Sequence, residues 1–344
     1  MYQIRKRALS IVLLVTMILT LMPVSAAAEE DGTAQTPPHI LSTIKHEVGS
    51  DGAETGQITA QIEAYLTDST NKTRTVKPCD IIFLIEQSTF MNTQNNTAFY
   101  GQERKDILDT MEKMLDAIPA PTTGGEHRVA ISGYGRINNP GNSDTYVAEQ
   151  YPGEKLDSSA NQSLNTGYYT CEGGAPVFHS AKGWTEWSQV KDHDDKTLPQ
   201  MPDGYLENVA YKDVFMSVSE AKDVIDADNM VSWHAQASRM DAGLQLTEGL
   251  AQIAANHKQS DKDRNLIVFI AASSLPYQNQ SGGYQVLRPE AAIEAANNLK
   301  KFYGATIFGF GDFNKLNLEG LTEEEQRNYF NETMASICGS AGTS

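Results

Sequence analysis

The sequence predicts an α/β fold: a doubly wound, mostly parallel sheet with helices on both faces, preceded by a β-rich extension and carrying a long insertion. Three observations predict it. Nearly continuous apolar runs recur at 80–85, 266–270 and 305–310, which is how strands read when both of their faces are buried. Between them lie stretches whose apolar residues recur at spacings of three and four, the pattern of a helix with one buried stripe. Buried strands alternating with such helices imply a parallel sheet covered on both sides.

The elements follow in chain order. Arg5, Lys6 and Arg7 precede an apolar stretch from Ala8 to Val24 and a small-residue site at Ser25–Ala28. This is the arrangement of a secretory signal peptide over 1–28, cut after Ala28 or after Ala26. The run is nearly long enough to span a bilayer, but the small-residue site directly behind it favours cleavage over an anchor. Residues 29–38 are small, polar and Pro-ended, a flexible leader. The extension covers 39–78: Ile58, Ala60, Ile62, Ala64 and Leu66 alternate with polar neighbours, as in a half-buried antiparallel strand, behind a turn at Gly49–Gly52.

From residue 79 to 344 the sequence reads as the main domain. Asp80–Ile85 is its first buried strand, and Ile107, Leu108, Met111, Leu115 and Ile118 mark a helix within 101–118. Val129–Tyr134 is the second strand. Residues 138–233 are long, polar and punctuated by Gly and Pro, and they hold Trp184, Trp187 and Trp233. This stretch reads as an elaborated insertion, with order expected at 214–216 and a helix at 220–225. Beyond it come a helix carrying Met240, Leu244 and Ala251, a strand at 266–270, a helix opened by Pro289, and a strand at 305–310.

Composition narrows the function. The formal net charge is −17, and removing the signal peptide takes away three more positive charges. An exported chain this acidic lacks the basic footprint of a nucleic-acid binder. Cys79, Cys171 and Cys338 fit no zinc spacing and leave one thiol over whatever pairs; three free thiols are expected, with a Cys79–Cys338 bridge the alternative. Gly133–Gly135 and Gly309–Gly311 lack the third glycine of a dinucleotide fingerprint. Asp192–Asp195 resembles the start of an EF-hand loop but has Lys196 and Thr197 where a ligand and a glycine belong. His127 and His257 read as surface or loop-packing residues. Leu198–Pro202 lacks the Thr-Gly and apolar tail of a sorting signal. No Gly-x-Ser-x-Gly or His-Glu-x-x-His occurs, so nothing points to catalysis.

Ligands of open α/β sheets bind beyond the carboxyl ends of the strands, which directs attention to Glu86–Phe90, Ala237–Leu244 and Ala271–Ser274. Here the chain resembles the von Willebrand factor type A (vWA) domain of Gram-positive surface and pilus-tip adhesins. Asp80–Met91 resembles the strand that runs into the family's Asp-x-Ser-x-Ser motif. Ser238–Leu244 resembles the loop that carries a Thr ligand, and Leu266–Pro276 the strand entering the Thr-Asp-Gly-x-Pro loop. The resemblance implies a metal-ion-dependent adhesion site for Mg²⁺ or Mn²⁺, with Glu86, Ser88 and Ser238 as the residues able to coordinate. Phe90 replaces the second Ser and Ala272 the second Asp; if Pro276 sets the register, Ser273 takes that place. The site is therefore expected to be weakened or lost.

The expected partners are a host or neighbouring-cell surface protein or glycan, or other pilus subunits, with no membrane contact beyond the export signal. The alternative is a structural stalk subunit that uses the fold as a metal-free scaffold. The chain stops at Ser344, soon after Cys338, whereas the family normally adds a further strand and a closing helix, and surface proteins add an anchor. The chain accordingly reads as a piece of a longer protein or as a domain that ends abruptly.

Overall fold

In a computed structural model of the chain, which describes residues 39–48, 54–65, 75–88, 102–135, 166–181, 198–199, 201–225, 238–257, 264–279, 285–311, 313 and 320–339, the alternating segment lies on an antiparallel hairpin. Its strands are β1 (His39–Val48) and β2 (Glu54–Tyr65). Their register sets Ile40, Ser42 and Ile44 opposite Ala64, Ile62 and Ala60. The hairpin belongs to a unit of its own, distinct from the unit that holds the described residues from Val76 onward. The signal peptide and leader lie outside the described residues, as does the turn at 49–52.

The larger unit is built around β3 (Cys79–Glu86), in which every residue is buried. Helix α1 (Gln102–Ala117) leads to β4 (Arg128–Tyr134), which pairs parallel with β3. Strands β5 (Gly167–Glu172) and β6 (Ala175–Ser180) form a hairpin that adds antiparallel to β4. A short helix α2 (Tyr211–Val214), the two-residue strand β7 (Met216–Ser217) and α3 (Val218–Val224) return the chain to β4. Helix α4 (Met240–His257) leads to β8 (Asn265–Ala271), parallel to β3 on its other side. A small hairpin of β9 (Tyr277–Asn279) and β10 (Gln285–Leu287) precedes α5 (Pro289–Tyr303), β11 (Thr306–Phe310) and α6 (Glu323–Cys338). Among the described residues the main sheet has seven strands, in the order β11-β8-β3-β4-β5-β6 with β7 beside β4. Four neighbouring strands, β11, β8, β3 and β4, run parallel, as predicted.

Period-two alternation divides the core. Ile82, Leu84, Ala130, Val268 and Ile270 pack in one cluster with Leu244, Leu250 and Ala251 of α4 and Ala292, Ala295 and Leu299 of α5. Their neighbours Ile81, Phe83, Ile85, Val129 and Ile131 are equally buried but belong to the opposite face. The buried stripe of α1, Ile107, Leu108, Met111 and Leu115, also stays outside the α4/α5 cluster. Burying each large side chain contributes about 1.5–3 kcal/mol, which is why these strands carry so few polar residues.

Two larger features, the β5–β6 hairpin and helix α6, were among those not legible in the sequence. The stretch 138–233 predicts no strand, yet β5 and β6 are integral to the sheet. Their turn has Gly173 and Gly174 at φ +62° and +83°, the backbone of a two-residue hairpin of the kind Gly-Gly permits. Ala181 N–H donates to Thr166 O, so the pairs Glu172–Ala175 and Cys171–Pro176 alternate as hydrogen-bonded and non-hydrogen-bonded. The second element is α6, opened by a capping box. The Thr322 hydroxyl accepts the Glu325 N–H while the Glu325 carboxylate accepts the Thr322 N–H.

Candidate functional site

Strand β3 ends with Glu86 at the carboxyl edge of the sheet, and Ser88 follows two residues on. The parallel partner β8 ends in Ala271, so Ala272, Ser273 and Ser274 leave the same edge beside them. The third segment, Ser238–Arg239, enters α4. It is joined to the β8 exit by an antiparallel bridge: Ser238 N–H donates to Tyr277 O at 3.2 Å, and Tyr277 N–H to Ser238 O at 2.9 Å. Arg239 N–H donates to Gly135 O at 2.9 Å, which fixes the same segment to the end of β4. The three stretches singled out from sequence therefore meet at one place.

Glu86, Ser88 and Ser238 are all fully buried there. The Glu86 carboxylate accepts hydrogen bonds at both oxygens. Oε1 takes the hydroxyls of Ser88 (2.6 Å) and Ser274 (2.5 Å). Oε2 takes the backbone N–H of Ser273 (2.8 Å) and of Ser274 (3.1 Å), with the Ser273 hydroxyl at 3.4 Å. Burial lifts its pKa above the ordinary carboxyl value, and the donations from Ser273, Ser274 and Ser88 only partly oppose that rise. Burial and the Glu86 charge together raise the phenol of Tyr134 well above its usual value, and that of Tyr277 as well. The Tyr134 hydroxyl lies close to Glu86 and to Ser238, yet neither it nor the Ser238 hydroxyl completes a hydrogen bond among the described residues. The sequence places Ser274 in one of these loops but gives it no role, and it does not single out Tyr134 or Tyr277.

A charged network braces the site from behind. Asp241, fully buried in the first turn of α4, accepts from Arg239 Nε (2.9 Å) and Nη2 (2.8 Å), and from Arg288 Nε at 3.1 Å. Arg288 N–H also donates to Pro276 O, so the entries to α4 and α5 and the exit of β8 are held by one carboxylate. Burial acts to raise the Asp241 pKa, but the charges and hydrogen bonds of Arg239, and then Arg288, bring it below the ordinary value.

The described groups do not fit an octahedral dication. Such an ion wants six oxygens near ideal geometry, and the one carboxylate of the trio already has both of its oxygens occupied. Ala272, whose methyl is buried, supplies no second acid. Among the described residues no group of three or more His, Cys, Asp and Glu could hold a metal. Phe90 lies outside the described residues, as do the three tryptophans and Asp192–Asp195.

Other candidates resolve simply. Among the described residues no disulfide joins Cys79, Cys171 or Cys338. The buried His127 accepts the Cys79 N–H at Nδ1 and hydrogen-bonds Pro119 O through Nε2. The ring of His257 stacks on Tyr211 with centroids 3.8 Å apart. Both histidines therefore pack rather than ligate. No helix of the described residues is long and apolar enough to cross a membrane.

No protein-family model matches the sequence, and no curated protein matches it. Solved structures similar to this chain include the pilus adhesin SpaC from Lactobacillus rhamnosus GG in its open conformation (10% identity, TM-score 0.38, 88% of this chain and 31% of that one). The three N-terminal domains of the type V pili tip protein Mfa5 from Porphyromonas gingivalis match at 11% identity and TM-score 0.37, over 90% of this chain and 53% of that one. A point mutant of the PilB minor pilin from Streptococcus sanguinis matches at 11% identity and TM-score 0.37, over 91% of this chain and 74% of that one. This chain thus spans about a third of the length of SpaC.

Proposed function

We propose that this chain is an exported cell-surface binding module, an adhesin or pilus-tip-like subunit on a vWA-like domain, and that it recognises a protein or glycan without a coordinated ion. The observation that carries this reading is the convergence of three loops at the carboxyl edge of a parallel sheet, where folds of this class place their ligands. The basic-apolar-small order of residues 1–28 supports export, and the acidic composition suits a soluble surface rather than nucleic acid. Glu86, Ser88 and Ser238 are buried, so a partner would meet the outer parts of the loops and the aromatic-bearing stretch 146–233.

The spent carboxylate of Glu86 favours a second reading, a stalk subunit whose fold serves only as a rigid scaffold among other pilus subunits. Binding of labelled Gln35–Ser344 to immobilised matrix proteins and a glycan array, with and without chelator, separates the two. Saturable binding that persists in chelator supports the module as proposed. Binding abolished by chelator would overturn its metal independence. Absence of binding on every surface, with recovery of the chain only in assembled surface polymers, would install the stalk reading.

A further inference from the structure

The loops that follow β3 and β8 are joined by a side chain. Glu86 leaves β3 pointing across the sheet edge, and among the described residues the donors hydrogen-bonded to it belong to loops: Ser88 on its own, Ser273 and Ser274 on the other. Successive backbone N–H groups turned toward one point make a cradle for an anion. Here the cradle is formed by the amides of Ser273 and Ser274, and the hydroxyls of Ser88 and Ser274 close it from the side of Oε1. No cation is needed to bring the loops together, because the negative group and its amide donors come from opposite sides of the junction.

We infer that Glu86 is an internal anionic ligand, a carboxylate that fills the Ser273–Ser274 amide cradle and ties the β3 loop to the β8 loop with no ion between them. The inference deepens the metal-free reading proposed above and rests on it. Side-chain length is the deciding feature. An aspartate at 86 would end one carbon–carbon bond, about 1.5 Å, nearer β3. From there it could not keep the amide contacts at 2.8 and 3.1 Å without pulling the loop inward. The backbone is not free to follow, since the Ala272 N–H donates to Phe310 O and Tyr277 is bridged to Ser238. Glu86 is thus a positioning residue: it shapes the rim that a partner would meet and does not touch the partner itself.

Amide hydrogen exchange at Ser273 and Ser274 tests this in the full chain, measured in chelator and again in excess Mg²⁺. Both amides of the wild type should be protected to the same degree in the two buffers. In Glu86→Asp they should exchange about tenfold faster or more, the equivalent of losing one hydrogen bond to a charged group, while β3 and β8 amides keep their protection. Ser274→Ala, which removes one hydroxyl donor and leaves the carboxylate, should show a smaller acceleration at the same two positions and keeps the test available if the aspartate variant does not fold. Wild-type protection that appears only with Mg²⁺, or unchanged exchange in both variants, would overturn the inference. Intact protection alongside failed surface binding would sink the binding module and leave the role of Glu86 standing.

Discussion

A β-carbon added to Gly243 would stand 2.6 Å from Cβ of Tyr134 and 3.1 Å from Cδ1 of Leu84. The first turns of α4 therefore press directly onto β4 and β3, and the close approach depends on that glycine. The Tyr134 atom belongs to the root of a fully buried side chain, so it has little freedom to yield. Gly243→Ala should destabilise the larger unit by about 1–3 kcal/mol, the usual cost of overpacking, despite the better helix propensity of alanine. Urea midpoints at constant slope would measure it, and an unchanged or raised midpoint would mean that the helix can shift outward at little cost.

The pairing of Asp241 with Arg239 and Arg288 leads to a pH prediction. Because the folded carboxyl titrates below its ordinary value of 3.8, its contribution is fully present above the unfolded value and is lost as the pH falls through the folded one. Asp241→Asn leaves two buried guanidinium groups under-compensated and should cost about 3–5 kcal/mol at neutral pH. The gap between wild type and variant should hold from pH 7 to pH 5 and close only below about pH 4. Closure already between pH 7 and 5 would mean that another group carries the effect.

Tyr134 offers the opposite case. Its hydroxyl is buried without a completed hydrogen bond among the described residues, and an unmatched polar group costs desolvation with little return. Tyr134→Phe should leave stability within about 1 kcal/mol of wild type or raise it slightly. A loss of more than that in thermal or urea unfolding would reveal a partner for the hydroxyl.

The cap of α6 can be tested alone. Thr322→Ala removes the acceptor for the Glu325 N–H and should cost about 0.5–2 kcal/mol, with faster amide exchange confined to the first turn of the helix. Acceleration spread across α5 and β11 instead would show that α6 is coupled to the rest of the unit more tightly than its cap alone explains.

What could be read from the sequence follows the same physics. The parallel strands β3, β4, β8 and β11 were legible because burial on both faces demands apolar runs, and α1, α4 and α5 because a single buried stripe imposes their spacing. The hairpin β5–β6 escaped notice because it lies at the sheet margin, where Tyr168, Thr170 and His179 can take strand positions without an apolar signature. Helix α6 was missed although Thr322-Glu323-Glu324-Glu325 is a cap signature; its buried residues include Gln326 and Thr333, which blur the stripe. At the site, motif order placed Glu86, Ser88 and Ser238 on converging loops. That Glu86 would spend its charge on Ser273 and Ser274 depends on a reach of one methylene, which no spacing rule reports.

Pro176 has a consequence for association. On β6 it faces Cys171 of β5 in a non-hydrogen-bonded pair, the geometry in which a residue turns its N–H away from the hairpin. Proline has no N–H to offer there, so the outward margin of β6 lacks a rung that an incoming strand would need. A neighbouring molecule attempting to extend the sheet at this margin would meet an interrupted ladder, which disfavours edge-to-edge aggregation. Copies of the chain brought together at high concentration would thus be protected, at this margin, against indiscriminate self-association.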